Sequence, residues 1–201
     1  NPVLINDPRF APAGVLAPNS KSDLAFTMHM LAWLSTSGTA AIVEFPGVLY
    51  RGGKEQKIRQ YLIDNNYVDT VIQLPDNLFF GVTIATCIIV LKKSKADNAT
   101  LFIDASGEFV HEGNKNKLAP ENIQRIYEAH ASRQNETHFA RLVPNEEIAV
   151  NNYNLAVSSY VEQPDTREHI DIDELNARIA GIVERQAKLR EDIDRLILEI
   201  A

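Results

Sequence analysis

The sequence predicts an α/β fold followed by a helical tail, and three observations lead to this prediction. Short apolar runs typical of strands alternate with amphipathic helical patterns along the first 105 residues. The run at 84–91 is mainly apolar, as expected for a strand buried on both faces of a sheet. The last thirty residues repeat aliphatic side chains at spacings of three and four, which is typical of a long helix.

The first half of the chain contains the predicted sheet elements. A helix is expected from Asp23, because Ser20 precedes it at capping-box spacing and apolar residues then recur at helical intervals. Residues 40–46 are predicted to form a short, mostly buried strand. Residues 54–65 follow as an amphipathic helix, whose charged residues we expect to be exposed. These charged residues are Lys54, Glu55, Lys57 and Arg59.

The next strands are predicted at 68–74 and 84–91, with a further short strand at 101–104. About nine residues join the first two, which is too few for a crossover helix, so these strands should pair antiparallel if they are neighbours. Residues 107–117 read as a polar loop and 120–131 as a helix. The segment 141–160 shows turns mixed with short apolar pieces.

Three segments are predicted: an α/β part at 1–105, a small helical and loop extension at 106–163, and a long amphipathic assembly helix at 164–201. The tail carries a stripe at 3.5-residue spacing, which requires another helix to cover it. The alternative is a helix that folds back on its own domain. The stripe consists of Ile172, Leu175, Ile179, Ile182, Gln186, Leu189, Ile193, Leu196 and Ile200.

Composition excludes several classes of function. The single cysteine, Cys87, excludes an internal disulfide framework and a zinc site of several thiolates. The net charge of −7 arises entirely after Asp104, since the first 104 residues hold nine basic and nine acidic side chains. A protein that binds DNA unaided usually has a basic excess, so a partner would have to supply much of it. No membrane span or leader is predicted, and the cytoplasm is expected.

Two connections follow predicted strands, where ligands gather in α/β sheets. The first, 45–54, offers glycine amides beside Arg51 and Lys54, a plausible phosphate contact or simply a turn with solvated cations. The second, 74–83, holds the adjacent aromatic residues Phe79 and Phe80 next to a glycine. One of these rings could stack on a flat ligand, or both could belong to the core.

The same connections carry a family resemblance. The segments SKSDLAF at 20–26, GTAAIV at 38–43 and FPGVLYRGG at 45–53 resemble the modification subunit of type I restriction–modification systems. So do IQLPDNLFFG at 72–81 and TIATCIIVL at 83–91, while NNYNL at 151–155 and SSYV at 158–161 resemble its post-domain signature. The resemblance implies the C-terminal part of a doubly wound S-adenosylmethionine-dependent methyltransferase sheet.

The resemblance also implies an activity, transfer of a methyl group from S-adenosylmethionine to the exocyclic amine of adenine in DNA. In the family, the cofactor-binding glycine-rich motif and the catalytic Asn-Pro-Pro-(Phe/Tyr) motif precede the region matched here. The chain begins with Asn1 and lacks that catalytic motif, so we expect a fragment that is inactive alone and has no catalytic or cofactor residue. Cofactor binding is expected in the missing N-terminal part.

The resemblance assigns roles to the candidate residues. Phe79, with Phe80 in reserve, would pack against the extruded adenine, and Arg51 and Lys54 would contact DNA phosphates. Asp23 and Phe26 would lie near that base. The terminal stripe would dock on the specificity subunit, with a second modification subunit and a restriction subunit completing the complex. Two alternatives remain, a non-catalytic interaction module that docks through its C-terminal helix and an accessory domain of a helicase.

Overall fold

A computed structural model describes residues 2–164 and 172–200 of the chain. It contains two compact units, Asn1–Gln163 and Pro164–Ala201. The first unit is a mixed α/β layer, and the described part of the second is a single helix. The elements of the first unit therefore position every candidate residue other than those of the terminal stripe.

The helices and strands of the first unit alternate along the chain. The helices are α1 (Asp23–Trp33), α2 (Gly47–Tyr50), α3 (Lys54–Asp64), α4 (Pro120–Ser132) and α5 (Asn145–Val150). The strands are β1 (Thr39–Glu44), β2 (Val68–Gln73), β3 (Cys87–Lys92), β4 (Ala99–Asp104), β5 (Val110–Glu112), β6 (Lys115–Lys117) and β7 (Ala140–Pro144). Two 3-10 turns, Pro2–Asn6 and Val157–Ser159, complete the unit.

Five strands form the main sheet, in the order β1-β3-β2-β4-β7. Strand β3 pairs antiparallel with both β1 and β2, which confirms the prediction made from the short link between β2 and β3. Strand β2 pairs parallel with β4, and β4 pairs antiparallel with β7. Strand β1 is thus an edge of the sheet, and its far side pairs with no strand within the described residues.

Two hydrophobic clusters cover the two faces of this sheet. Alternate strand residues point to opposite faces, so Val71 lies in the larger cluster and its neighbour Ile72 in the smaller one. Helices α1, α3 and α5 contribute Leu24, Ile58 and Ile148 to the larger cluster. Helix α4 contributes to the smaller cluster. Burial of both faces explains why the inner strand β3 is nearly continuous in apolar residues.

Several local predictions are wrong, and each has a physical reason. Ser22, not Ser20, precedes α1, and no side-chain hydrogen bond caps the helix. Residues predicted as a polar loop form the β5–β6 ribbon, whose exposed strands have no apolar alternation to reveal them. Strand β7 lies within the predicted extension at 106–163, yet it completes the main sheet.

The prediction that Glu55 and Arg59 are exposed on α3 is also wrong. Both are buried, each with 2% of its surface exposed. They share a helix face with Ile58 and Leu62, because residues at these spacings lie one above another on a helix. Charged side chains can occupy such a face when they are paired and hydrogen-bonded.

The second unit contains α6 (Ile172–Ile200). Its aliphatic residues with described side chains are between 43% and 80% exposed, and the side chain of Ile200 lies outside the described set. The helix forms as the heptad spacing predicts, and its apolar stripe is open to solvent. Apolar side chains at this spacing are typical of helices that pack against other helices.

Candidate functional site

A cavity of about 340 Å³ lies at the carboxyl end of β1. The end of β1 forms one side of it, the first residue of α1 another, and the loop between β2 and β3 the remainder. Its volume is at the lower end of the range for small-ligand sites. The lining residues are Asp23, Val43, Glu44, Phe45, Phe79, Val82 and Thr86.

The loop between β2 and β3 presents two aromatic rings differently. Leu78 packs against the smaller hydrophobic cluster and anchors the loop. Phe79 lines the cavity and is 42% exposed, whereas Phe80 is fully exposed and does not line it. Gly81 follows with a φ of +73°, a conformation that few other residues adopt. Of the two predicted base contacts, the structure therefore brings only Phe79 into the cavity.

The β5–β6 ribbon holds this loop in place. Lys115 Nζ donates hydrogen bonds to the Asn77 side chain at 3.2 Å and to the Phe79 carbonyl at 3.1 Å. Asn116 Nδ2 donates to the Asp76 carbonyl at 3.0 Å and to the Asp76 carboxylate at 2.9 Å. Sequence reasoning missed these residues, because nearly forty positions separate donor from acceptor and the ribbon is mostly polar.

A buried carboxyl group borders the cavity. Glu44 is 7% exposed, and its Oε1 accepts a hydrogen bond of 2.8 Å from the Thr27 hydroxyl. Burial raises the pKa of Glu44, the Thr27 hydrogen bond partly offsets this, and the nearby Asp23 raises the pKa further. Cys87, which pairs with Glu44 across the β1–β3 ladder, donates a hydrogen bond from its thiol to the Glu44 carbonyl, and burial raises the pKa of this thiol to about 12. Such a thiol is inert at neutral pH.

The predicted phosphate contacts do not line the cavity. Arg51 forms an ion pair of 3.1 Å with the buried Glu55, which largely neutralises its charge. The guanidinium lies so close to Gly47 that a Cβ at that position would overlap it. Lys54 is exposed and forms no ion pair with another described residue. Lys54 is therefore the freer of the two cations.

The segment at 151–155 docks on the connection that follows β1. The Leu155 amide donates to the Leu49 carbonyl at 2.8 Å. Arg59 donates from Nε to the Tyr153 carbonyl at 2.8 Å and from a terminal nitrogen to the Val48 carbonyl at 2.9 Å. The segments 45–53 and 151–155, which both resemble the family, lie about a hundred residues apart in the sequence. The buried guanidinium of Arg59 joins them.

The described part of the chain contains neither a cluster of metal ligands nor a membrane-spanning helix. No group of three histidine, cysteine or acidic side chains there could hold a metal ion. None of the helices described is both long and apolar enough to cross a membrane.

Known proteins resemble this chain over nearly its whole length. The sequence pattern of the family described as N-6 DNA Methylase matches residues 1–169. The chain is 50% identical over 198 residues to the type I restriction enzyme MpnII methylase subunit of Mycoplasma pneumoniae, covering 98% of this chain and 36% of that protein. It is 34% identical over 190 residues to the type I restriction enzyme MjaVII methylase subunit of Methanocaldococcus jannaschii, covering 92% of this chain and 32% of that protein.

A solved structure gives the same result for the fold. The type I restriction-modification system methyltransferase subunit from Streptococcus thermophilus superposes with a TM-score of 0.79 at 43% identity. The match covers 81% of this chain and 35% of that one, so this chain spans about a third of the length of these relatives. The predicted α/β methyltransferase fold is confirmed. With a family match over residues 1–169, the chain belongs to the N-6 DNA methylase family.

Proposed function

We propose that this chain is part of the modification subunit of a type I restriction–modification system, which methylates the exocyclic amine of adenine in DNA. The observation that carries the proposal is the position of Phe79, whose ring lines a cavity at the carboxyl end of a strand. Enzymes that modify a base within DNA extrude it and stack it on aromatic side chains. Family membership supports the chemistry, and the activity itself belongs to a longer protein.

Within that protein, this segment contributes the side of the site that holds the base. Phe79 is the stacking residue, because it lines the cavity while Phe80 faces solvent. Stacking on an aromatic ring contributes about 1–3 kcal/mol per base. The loop that carries the ring is fixed by Lys115 and Asn116, so the ring is preorganised for a flat ligand.

The methyl donor is S-adenosylmethionine, and the described residues that line the cavity do not fit it. Two carboxylates line the cavity, and none of its described lining residues offers a cation for the carboxylate of the donor. The sequence also matches neither of the two common glycine-rich phosphate-binding motifs, G-x-G-x-x-G and G-x-x-x-x-G-K-S/T. We therefore infer that other sequence of the parent holds the donor, and that these 201 residues alone are inactive.

DNA contacts outside the cavity involve Lys54 and Arg51. Lys54 is exposed at the start of α3, while the charge of Arg51 is offset by Glu55. The first 104 residues have no net charge, so this segment contributes little to phosphate neutralisation. Partner subunits would supply the remainder. The cytoplasm, where bacterial and archaeal DNA lies, is the proposed location.

The stripe on α6 is the proposed docking surface for the specificity subunit, in a complex with a second modification subunit and a restriction subunit. Its aliphatic residues are exposed and repeat at heptad spacing, as in helices that pack against other helices. Leu189→Asp should abolish assembly in co-purification with the specificity subunit, because it places a charge in the stripe. Ala180→Asp, on the opposite side of α6, should assemble normally. If the two variants co-purify with the specificity subunit to the same extent, the stripe is not the docking surface.

The methylation proposal is tested by two matched substitutions in the full-length protein, assembled with its partners. Phe79→Ala should lower kcat/KM for methyl transfer to DNA by about 10- to 100-fold, since one stacking contact is lost. Phe80→Ala should change kcat/KM by less than about threefold, because its ring is fully exposed. If both variants assemble normally and methylate DNA at the wild-type rate, the result would instead favour a non-catalytic interaction module for this segment.

A further inference from the structure

The cavity beside Phe79 contains polar groups that a stacking role leaves unexplained. Thr86 lines the cavity and is 5% exposed, and its hydroxyl has no hydrogen-bond partner in the described part of the chain. Its backbone is fixed, because the Thr86 carbonyl accepts hydrogen bonds from the Leu74 amide at 2.9 Å and from the Gln73 side chain at 3.1 Å. An unpaired buried hydroxyl costs stability, so such a group is often completed by a ligand.

Glu44 provides a second polar group in the same cavity. Thr27 occupies its Oε1 at 2.8 Å, and this fixes the orientation of the carboxyl group. A carboxylate has several acceptor positions, so one hydrogen bond leaves it able to accept others. Glu44 is the last residue of β1 and pairs with Cys87, the first residue of β3. Thr86 immediately precedes Cys87, so Glu44 and Thr86 lie at the same end of this strand pair and both line the cavity.

The charges that border the cavity restrict the class of ligand. Asp23 and Glu44 are both acidic, and none of the described lining residues is a lysine or arginine. This arrangement disfavours a phosphate or carboxylate group and favours a ligand that donates N–H hydrogen bonds. Val43, Phe45, Phe79 and Val82 form the apolar walls, which suit a flat ring. The lining thus fits an amine-bearing heteroaromatic base.

We propose that Glu44 and Thr86 read the identity of the extruded base, with Glu44 accepting a hydrogen bond from its exocyclic amine and Thr86 donating one to the neighbouring ring nitrogen. This inference rests on the proposed methylation of adenine. Adenine presents an amine donor beside a ring-nitrogen acceptor, and thymine presents a carbonyl instead. The carboxylate would be left against a carbonyl oxygen if thymine entered, so the pair selects for an amino base.

The electrostatics of Glu44 support this role. Burial raises the pKa of its carboxyl group, since few water molecules remain to stabilise the charge. An N–H donor from the base would replace part of that missing solvation. Thr27 is a positioning residue in this arrangement, because its hydroxyl acts on the base only through Glu44.

The test measures methylation and DNA binding by the full-length protein assembled with its partners. Glu44→Gln should lower kcat/KM about tenfold, because a neutral acceptor replaces a charged one, and Glu44→Leu should lower it further. Thr86→Val should lower kcat/KM about fivefold, and Thr86→Ser, which keeps the hydroxyl, should restore it. The affinity for DNA that contains no target site should stay within about twofold in all four variants, because phosphate contacts dominate that binding.

A second measurement separates recognition from a merely structural role. DNA carrying purine in place of the target adenine lacks the exocyclic amine, and the wild-type protein should bind it about tenfold more weakly. Glu44→Leu should bind the two DNAs equally, as expected when one partner of a pair is already removed. Thermal melting of each variant identifies any that fail to fold. If a Glu44 variant fails to fold, the methylation rates of Thr86→Val and Thr86→Ser still test the inference.

The outcomes distinguish this inference from the proposed function. If the wild-type assembly methylates adenine and the Glu44 and Thr86 variants match it, base reading by these residues is refuted and the methyltransferase proposal stands. If the wild-type assembly transfers no methyl group to DNA, the proposed function fails and base reading fails with it. If the variants lose methylation and discrimination against purine but keep their affinity for DNA without a target site, both the inference and the proposed function are supported.

Discussion

Arg59 joins the two family segments of this protein, and its replacement by methionine is the most informative stability test. The guanidinium is 2% exposed and donates hydrogen bonds to the carbonyls of Val48 and Tyr153 at 2.9 and 2.8 Å. Glu55 lies one helical turn earlier and is equally buried. Methionine fills a similar volume without these contacts, so the substitution isolates the charge and the hydrogen bonds from packing.

The magnitude follows from these contacts. Two hydrogen bonds to a charged donor contribute about 1.5–3 kcal/mol each. Part of this is offset, because burial lowers the pKa of Arg59 to about 10, which shows that the charged form is desolvated. Loss of a neighbouring positive charge also leaves Glu55 less well compensated. We expect a net loss of about 3 kcal/mol in the free energy of unfolding, within the range for breaking a buried charged pair.

Urea unfolding of the 201-residue chain measures this loss of stability. The transition is followed by the fluorescence of Trp33, the single tryptophan. With an m-value of about 2 kcal/mol/M, the midpoint should fall by roughly 1.5 M. Arg141→Met is the matched control, because Arg141 is 43% exposed and pairs with Glu147 on the surface, and it should cost less than about 1 kcal/mol. If Arg59→Met costs no more than Arg141→Met, the buried guanidinium does not hold the segments together.

Two further predictions concern the cavity. Glu44→Gln should raise the melting temperature at pH 7, because burial raises the pKa of Glu44 above its value in the unfolded chain and the folded state carries the cost of ionisation. The advantage should shrink as the pH falls toward 4.5, and a constant difference in melting temperature would contradict it. Lys115→Met should lower methylation by the full-length protein about tenfold through movement of the Phe79 loop, with little change in stability. Lys117→Met, in the same ribbon, pairs only with the exposed Glu112 among the described residues and should leave methylation unchanged.

Much of the fold could be predicted from the sequence because the signals are local. The apolar runs at β2 and β3 and the short link between them determine two strands and their antiparallel pairing. The spacing of Ile58 and Leu62 determines α3, and the heptad repeat determines α6. Strand β7 escaped prediction, because Arg141 and Leu142 are only half-buried on an edge strand and the run is short.

The candidate site was only partly predictable, because most of its contacts join distant parts of the chain. The aromatic pair was visible in the sequence, but the contrast between Phe79 and Phe80 depends on the anchoring of Leu78 and on a ribbon that has no local signature. Glu44 and Thr86 line the same cavity because β1 and β3 pair in a register that joins residues more than forty positions apart.

The burial of Glu55 and Arg59 on α3 could have been predicted from the sequence. Glu55, Ile58, Arg59 and Leu62 lie at spacings of three and four, so helix geometry alone assigns all four to one face. Residue type suggested exposure for the two charged side chains, and geometry was the better guide, since a charged residue on an apolar face must find partners. Arg59 finds carbonyl groups, one of them about ninety positions away, and Glu55 finds Arg51. A charged residue at a core position of a helix therefore predicts a long-range polar contact, and here that contact joins the segments that identify the family.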